Sequence, residues 1–263
     1  MLAFLHTLNP LYSLSGLLVG ALVGFTGVGG GSLMTPMLVL LFGIHPATAV
    51  GTDLLYAGLT KISGSVVHNL NGAVDWRITG RLAAGSAPAA ALTLLLLAHF
   101  GRDSQAIGQV ITTVLGFALM LTAVVLAFRG WLLRKLAGRL DRLGEGAVAA
   151  LTVALGATLG VLVSISSVGA GAIGVTALLS LYPKLPTVRL VGSDIAHAVP
   201  LTLIAGAGHW WLGSVDWALL VSLLIGSIPG IAVGSALASR VPDAVLRPAL
   251  AGTLALVGGR LAF

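Results

Sequence analysis

The chain has 263 residues, of which 57% are apolar and 8% charged, against roughly 25% charged in a soluble domain. With a mean hydropathy of +1.05, this balance excludes a soluble globular domain and leaves an integral membrane protein. The net charge of +6 sits mostly beside apolar runs, where it orients spans rather than binding nucleic acid. Cysteine is absent, which excludes a disulfide framework, a thiolate metal site and a thiol redox centre. No lysine or arginine precedes the first apolar run, so a cleaved signal peptide is not expected.

In chain order, residues 11–42 make one long apolar segment, broken by Gly27-Val28-Gly29-Gly30-Gly31. Residues 47–68, 78–99 and 106–128 read as ordinary membrane helices, which need about 20 residues to span a bilayer. Residues 129–146, with Arg129, Arg134, Lys135, Arg139 and Arg142, are expected to form a basic cytoplasmic loop. The order then recurs. Residues 147–182 are broken at Ser167-Val168-Gly169-Ala170-Gly171, and 187–211, 217–238 and 244–262 follow as helices.

The recurrence is literal. Gly51-Thr52-Asp53 returns as Gly192-Ser193-Asp194 and His68 as His209, at an offset of 141. At the same offset of 141, Gly72-Ala73-Val74-Asp75-Trp76 returns as Gly213-Ser214-Val215-Asp216-Trp217, and Gly85-Ser86-Ala87-Pro88 as Gly226-Ser227-Ile228-Pro229. The glycine breaks align at an offset of 140, so one residue is gained before the later motifs. The chain is therefore a duplicated unit, residues 1–128 and 147–263 joined by 129–146. A duplicated unit in an apolar chain points to a transporter. The expected fold class is an all-α membrane protein of two homologous helical repeats. Each repeat has a Gly-broken first segment and three transmembrane helices.

Charge arbitrates how the broken segments run. As a straight helix, residues 11–42 would be about 48 Å long, against about 30 Å of hydrocarbon. Either the segment is a tilted, kinked span, or it is a re-entrant hairpin ending on the side where it began. If each long segment crosses once, Lys184, Arg189, Arg240 and Arg247 fall outside. If each returns, they fall inside with Arg77, Arg81 and the 129–146 loop, leaving Arg102 and Arg260 outside. The hairpin fits better and makes the repeats inverted. It places residues 68–77 in the cytoplasm and 209–217 on the opposite side.

Broken backbone at membrane depth is tolerated only where it is buried in protein or lines a cavity. The half-helix that follows presents free N–H groups and a positive dipole end, and two such ends near the midplane would bind an anion. Gly27, Gly29, Gly30, Gly31, Ser166, Ser167, Gly169 and Gly171 are therefore substrate-binding candidates. Close packing of helices through small residues is the alternative. A nucleotide loop is excluded, because no lysine follows the glycines.

Ionisable residues inside apolar segments are expensive and thus functional candidates. Asp53 and Lys61 lie in one such segment, and Asp194 and His197 in its counterpart. Thr52 and Ser193 beside the aspartates are candidate hydrogen-bond donors to substrate, and Lys61 a candidate attractor of its charge. Asp53, Asp194 and His197 are candidates for proton coupling. Alternatively, Lys61 pairs with an aspartate to hold helices together, or the aspartates cap half-helix N-termini. His68 and His209 read either as a gate or proton relay or as interfacial anchors. Trp76, Trp210, Trp211 and Trp217, with Asp75 and Asp216, read as interfacial. No cluster has metal-ligand spacing, no cofactor is implied and no catalytic residue is named.

Several motifs together resemble a known family. They are Gly27-Val28-Gly29-Gly30-Gly31-x-Leu33 with Pro36, Pro46-x-x-Ala49-Val50-Gly51-Thr52, His68, and Gly72-x-Val74-Asp75-Trp76. The chain thus resembles the sulfite exporter TauE/SafE family over nearly its whole length. The resemblance implies a multi-pass carrier of the cell inner (plasma) membrane for small anions: sulfite, sulfonates such as sulfoacetate, or organic carboxylates. The family commonly has serine or another small residue after Gly-Thr, whereas this chain has Asp53 and Asp194. An acid repels an anion unless it is protonated or paired, which points to proton coupling. The expected function is thus a secondary transporter of small anions, with the bilayer, the anion and protons as partners. A passive anion channel is an alternative. An intramembrane aspartyl protease is a remote one, because neither aspartate sits in a Gly-x-Gly-Asp context.

Overall fold

The structure is a computed structural model that describes residues 9–26, 31–100, 104–140, 143–237 and 243–263. All regular elements among these residues are helices. They are α1 (Pro10–Thr26), α2 (Gly31–Leu40), α3 (Pro46–Leu70), α4 (Trp76–Phe100), α5 (Ser104–Ala127), α6 (Arg129–Leu140), α7 (Glu145–Ser166), α8 (Ala172–Leu181), α9 (Thr187–Trp211), α10 (Trp217–Leu237) and α11 (Asp243–Ala262). Helices α4, α5, α7, α9 and α10 contain stretches long and apolar enough to cross a membrane. Helix α3 matches them in length, with 25 residues.

The outer surface is that of a protein in lipid. Leu92, Leu95, Phe117, Val124, Ile225 and Ile228 are all about half exposed or more, a surface that water would not tolerate. Trp76, Trp210, Trp211 and Trp217 are exposed near helix ends, as an aromatic belt requires. Trp210 and Trp217 pack edge to face at 5.7 Å.

The repeated Gly-x-Val-Asp-Trp motif is a helix stop joined to a helix start. Gly72 and Gly213 take φ of +65° and +74°, the left-handed conformation that glycine adopts without strain. The Ala73 amide donates to the His68 carbonyl at 2.8 Å and the Gly72 amide to Asn69 at 3.0 Å, which closes a Schellman turn on α3. Ser214 and Gly213 repeat these bonds to His209 and Trp210 at 2.8 and 2.9 Å. Asp75 and Asp216 then cap the next helices. Asp75 Oδ1 accepts the Arg77 amide at 3.0 Å, and Asp216 Oδ1 accepts the Leu219 amide at 2.9 Å.

Each broken segment doubles back. Tyr12, near the start of α1, packs edge to face on Phe42, just beyond α2, with centroids 5.0 Å apart. The equivalent pair closes the other segment: Thr152 near the start of α7 and Tyr182 just beyond α8 are joined by a 2.8 Å hydrogen bond between hydroxyls. The second break is built on Ser167, Gly169 and Gly171, with φ of 59°, 126° and 116°.

The halves exchange partners. Helix α1 packs on α10 and α7 on α4, so the first helix of each half lies against the fourth of the other. The crossings are backbone to backbone. A Cβ on Gly16 or Gly20 would strike Leu223 or Ser227, and one on the equivalent Gly156 or Gly160 would strike Leu82 or Ser86. Helices α3 and α9 cross in antiparallel order, Gly51 against His209, Gly58 against Leu203 and Gly192 against His68. Helices α5 and α11 also pack together, through Gly116 and Gly258.

One expectation needs correction. Most of the 129–146 stretch is not a loop, because residues Arg129–Leu140 form α6. The Leu132 amide donates to the Phe128 carbonyl at 2.9 Å, so the helical course of α5 resumes after one residue. Leucines and Trp131 interleave with the cations, and Lys135 Nζ stands 4.5 Å from the Trp131 ring centre. One side of this basic segment lies against α8, with Leu132, Leu133 and Leu136 half-buried.

Candidate functional site

The buried polar residues gather where α3 and α9 meet the two short helices. Asp53, on α3, is fully buried and accepts a hydrogen bond from Thr35 Oγ1 of α2. Asp194, on α9, is equally buried and lies against the first turn of α8. The Gly171 amide faces its carboxylate, and a Cβ on Gly174 would collide with its Oδ1. Each half therefore turns its aspartate onto its own short helix. For Asp194 the contact is with the positive end, an interaction that stabilises a partly buried carboxylate by up to about 2 kcal/mol. The sequence offers capping of half-helix N-termini as one reading of both aspartates. Asp53 Oδ1 and Asp194 Oδ1 nevertheless have no hydrogen-bond partner among the described residues.

Hydroxyls around the second break are also open. Ser164 and Ser167 are buried, and their Oγ atoms lack partners. Leaving a buried polar atom unpaired costs about 1–3 kcal/mol, so several together mark a place built for something else. Ser166 differs from them. Its hydroxyl donates to the Leu162 carbonyl at 2.6 Å and accepts the Val168 amide at 3.2 Å, so it shapes the break.

Lys61 is half-buried on α3, within electrostatic reach of Asp194 and Asp53. Among the described residues it makes no direct ion pair with either; Arg189 with Asp75, at 3.6 Å, is the pair observed. His197 Nε2 is hydrogen bonded to Ser86 Oγ at 2.8 Å, which ties α9 to α4. In the equivalent place Tyr56 faces Ser227, but both hydroxyls remain unpartnered. His209 is buried, and its Nε2–H donates to the Ser164 carbonyl at 2.9 Å. That bond fixes the proton on Nε2 of the neutral ring and leaves Nδ1, which has no partner, as an acceptor. Together with His45 and Ser214, His209 lines a cavity of about 210 Å³. His68 is half-buried and packs its Cβ near Gly192.

Thr52 and Ser193 hold the halves together. Thr52 Oγ1 accepts the Asp216 amide at 3.0 Å, and Ser193 Oγ accepts the equivalent Asp75 amide at 2.8 Å. Ser193 also donates to the Arg189 carbonyl at 2.7 Å, so its hydroxyl proton is committed. Gly169 and Gly171 form the break, and Gly31 begins α2. Gly27, Gly29 and Gly30 lie outside the described residues. Thr35 and Ser86 were missed by sequence reasoning. Ser86 lies inside a repeated motif, Gly-Ser-x-Pro, which was a usable signal, whereas Thr35 has Val175 as its counterpart and gave none. Among the described residues, no group of three or more His, Asp or Glu could hold a metal ion.

A duplicated helical bundle with lipid-facing flanks, two broken segments and a buried polar centre defines a polytopic membrane transporter. Residues 12–261 match the sulfite exporter TauE/SafE family, and the chain belongs to it. It is 39% identical over 249 residues to a probable membrane transporter protein, YjnA, of Bacillus subtilis (strain 168), covering 94% of this chain and 97% of that one. A second Bacillus subtilis protein, the probable membrane transporter protein YdhB, is 30% identical over 258 residues, with the same coverage of 94% and 97%. A probable membrane transporter protein of Xylella fastidiosa (strain 9a5c) is 29% identical over 239 residues, 86% of this chain and 83% of that one. The family and these relatives are named as transporters, not as enzymes. No solved structure matches significantly.

Proposed function

We propose that the protein is a proton-coupled secondary transporter of small anions, with sulfite and organosulfonates as the first candidates and inverted halves that rock about the central site. The observation that carries the reading is Asp194 at the N-terminus of α8, which follows the break that holds the unpartnered hydroxyl of Ser167. A helix N-terminus in a dry site attracts one negative charge strongly. While Asp194 is ionised it occupies that end itself. Protonation frees the helix-end amides for an oxyanion, so proton and anion travel together. Lys61 supplies the remaining positive charge, and Asp53 holds α2 through Thr35. The antiparallel crossing of α3 on α9 and the doubled-back segments support inverted repeats, which bring equivalent elements to a shared centre.

Counterflow in proteoliposomes tests the reading. Sulfite or sulfoacetate inside should accelerate uptake of the labelled anion. Asp194→Asn should keep this exchange but lose accumulation driven by a pH gradient. Asp194→Asn or Asp53→Asn vesicles that still accumulate anion down a proton gradient would sink the coupling role of that aspartate. High conductance without trans-acceleration would favour a channel.

A further inference from the structure

The two mouths of this duplicated protein are chemically unlike. On the face that carries the α3–α4 turn, the start of α7 and the end of α8, a cavity of about 410 Å³ is lined by Asp75, Arg77, Arg81, Glu145, Tyr182 and Lys184, among others. At the positions equivalent by the repeat, Ala218, Ser222, Phe42 and Ile44 stand in place of Arg77, Arg81, Tyr182 and Lys184. The cations are therefore not inherited from the duplication; they belong to one mouth alone.

Arg81 is held in place by a directed chain of hydrogen bonds. Its Nη1 donates to the Tyr182 hydroxyl at 3.1 Å. Thr152 Oγ1 gives its own proton to the Val148 carbonyl at 2.7 Å, so Tyr182 donates to Thr152 across their 2.8 Å bond. One guanidinium N–H is thus anchored, and four remain in a planar fork suited to an oxyanion. Of the two acids, Asp75 already accepts the Arg77 and Ile78 amides and lies 3.6 Å from Arg189. Arg77 and Arg81 then face one uncommitted carboxylate, Glu145. The resulting positive field is focused by the concave surface.

We propose that this cavity is a docking station for a small oxyanion, occupied on the way to the central site, and that it makes the carrier load from this face at lower anion concentration than from the other. The inference rests on the anion-transport reading above and adds to it a second site and a direction.

The test compares inside-out and right-side-out membrane vesicles, with sulfite as the probe and initial rates measured over a range of concentrations. The wild type is expected to show the lower KM on the face of α6. The double variant Arg77→Gln, Arg81→Gln should raise KM on that face by about tenfold, the effect of losing roughly 1.4 kcal/mol of attraction, and leave the opposite KM within about twofold. Arg81→Lys should keep most of the affinity, and the exposed Arg77→Gln alone serves should the double variant fail to assemble. An unchanged KM, or an equal rise on both faces, overturns the docking station while leaving anion transport intact. An effect seen only in phosphatidylglycerol vesicles and lost in phosphatidylcholine assigns the cations to lipid headgroups and overturns it as well. A wild-type protein that carries no anion from either face overturns the anion reading and this inference together.

Discussion

Gly192→Ala is the most direct probe of the joint between the halves. A Cβ at this position would collide with the Ala73 carbonyl oxygen and stand 3.3 Å from His68 Cβ. The carbonyl cannot retreat easily, because the Ala73 amide is bonded to His68 O at 2.8 Å and the neighbouring Asp75 amide to Ser193 Oγ at 2.8 Å. Helices α3 and α9 must separate instead. Overpacking of this kind costs about 1–3 kcal/mol, and losing the Ser193–Asp75 bond adds about 1 kcal/mol, so about 2–4 kcal/mol is expected. At about 2–4 °C per kcal/mol for a chain of this size, the melting temperature in detergent should fall by roughly 5–15 °C. Gly51→Ala, against Ser214 O and His209 in the equivalent place, should cost a similar amount. Gly80→Ala is the control: nothing lies within 4 Å of the added methyl, and helix propensity favours alanine by up to about 1 kcal/mol. Thermal unfolding followed by tryptophan fluorescence gives all three. A Gly192→Ala protein as stable as the wild type, or a Gly80→Ala protein equally damaged, would refute the reasoning.

Three further outcomes follow from the geometry. The chain lacks cysteine, so Asn71→Cys and Trp211→Cys can be labelled singly with a membrane-impermeant maleimide in right-side-out vesicles. Trp211→Cys should react and Asn71→Cys should not, and reaction of both would defeat the inverted arrangement. Ser86→Ala should lower stability by about 1–3 kcal/mol, because it strips His197 Nε2 of its partner in a buried place, whereas Ser227→Ala should be near neutral because that hydroxyl is already unpaired. Equal melting temperatures for the two would remove the distinction. Asp216→Ala should cost about 0.5–2 kcal/mol through the loss of the α10 cap, measurable in the same unfolding assay, and no loss would mean that the cap is not needed once α10 is packed on α1.

Much of the architecture was legible because lipid makes the code simple. Apolar runs of span length, interrupted by Gly27–Gly31 and Ser167–Gly171, marked the helices and the break points, and the placement of Lys184 and Arg189 favoured segments that turn back. The contacts of Tyr12 with Phe42 and of Thr152 with Tyr182 are those that a segment turning back makes. The partners of short hydroxyls were not legible. Thr52 and Ser193 read as substrate donors, yet each reaches across to an amide of the other half, a contact that exists only once the halves have docked. Helix α6 was hidden for a related reason: its basic composition suggests solvation, and only the surface offered by α8 makes it worth folding. Asp194 was recognised as unusual, but the helix end against which it sits becomes visible only when α8 is turned back towards it.

The exchange of first and fourth helices between halves has a consequence for biogenesis. When residues 1–128 have left the ribosome, α1 still lacks α10 and α4 still lacks α7, because both partners are encoded later. The glycine-lined backbone faces at Gly16, Gly20 and Gly85 must wait, uncovered, in the membrane. Assembly therefore closes from the carboxyl-terminal end, with α10 as the latch over α1. A nascent chain truncated before residue 217 should be recognised as incomplete by membrane quality control, however well its individual spans have inserted.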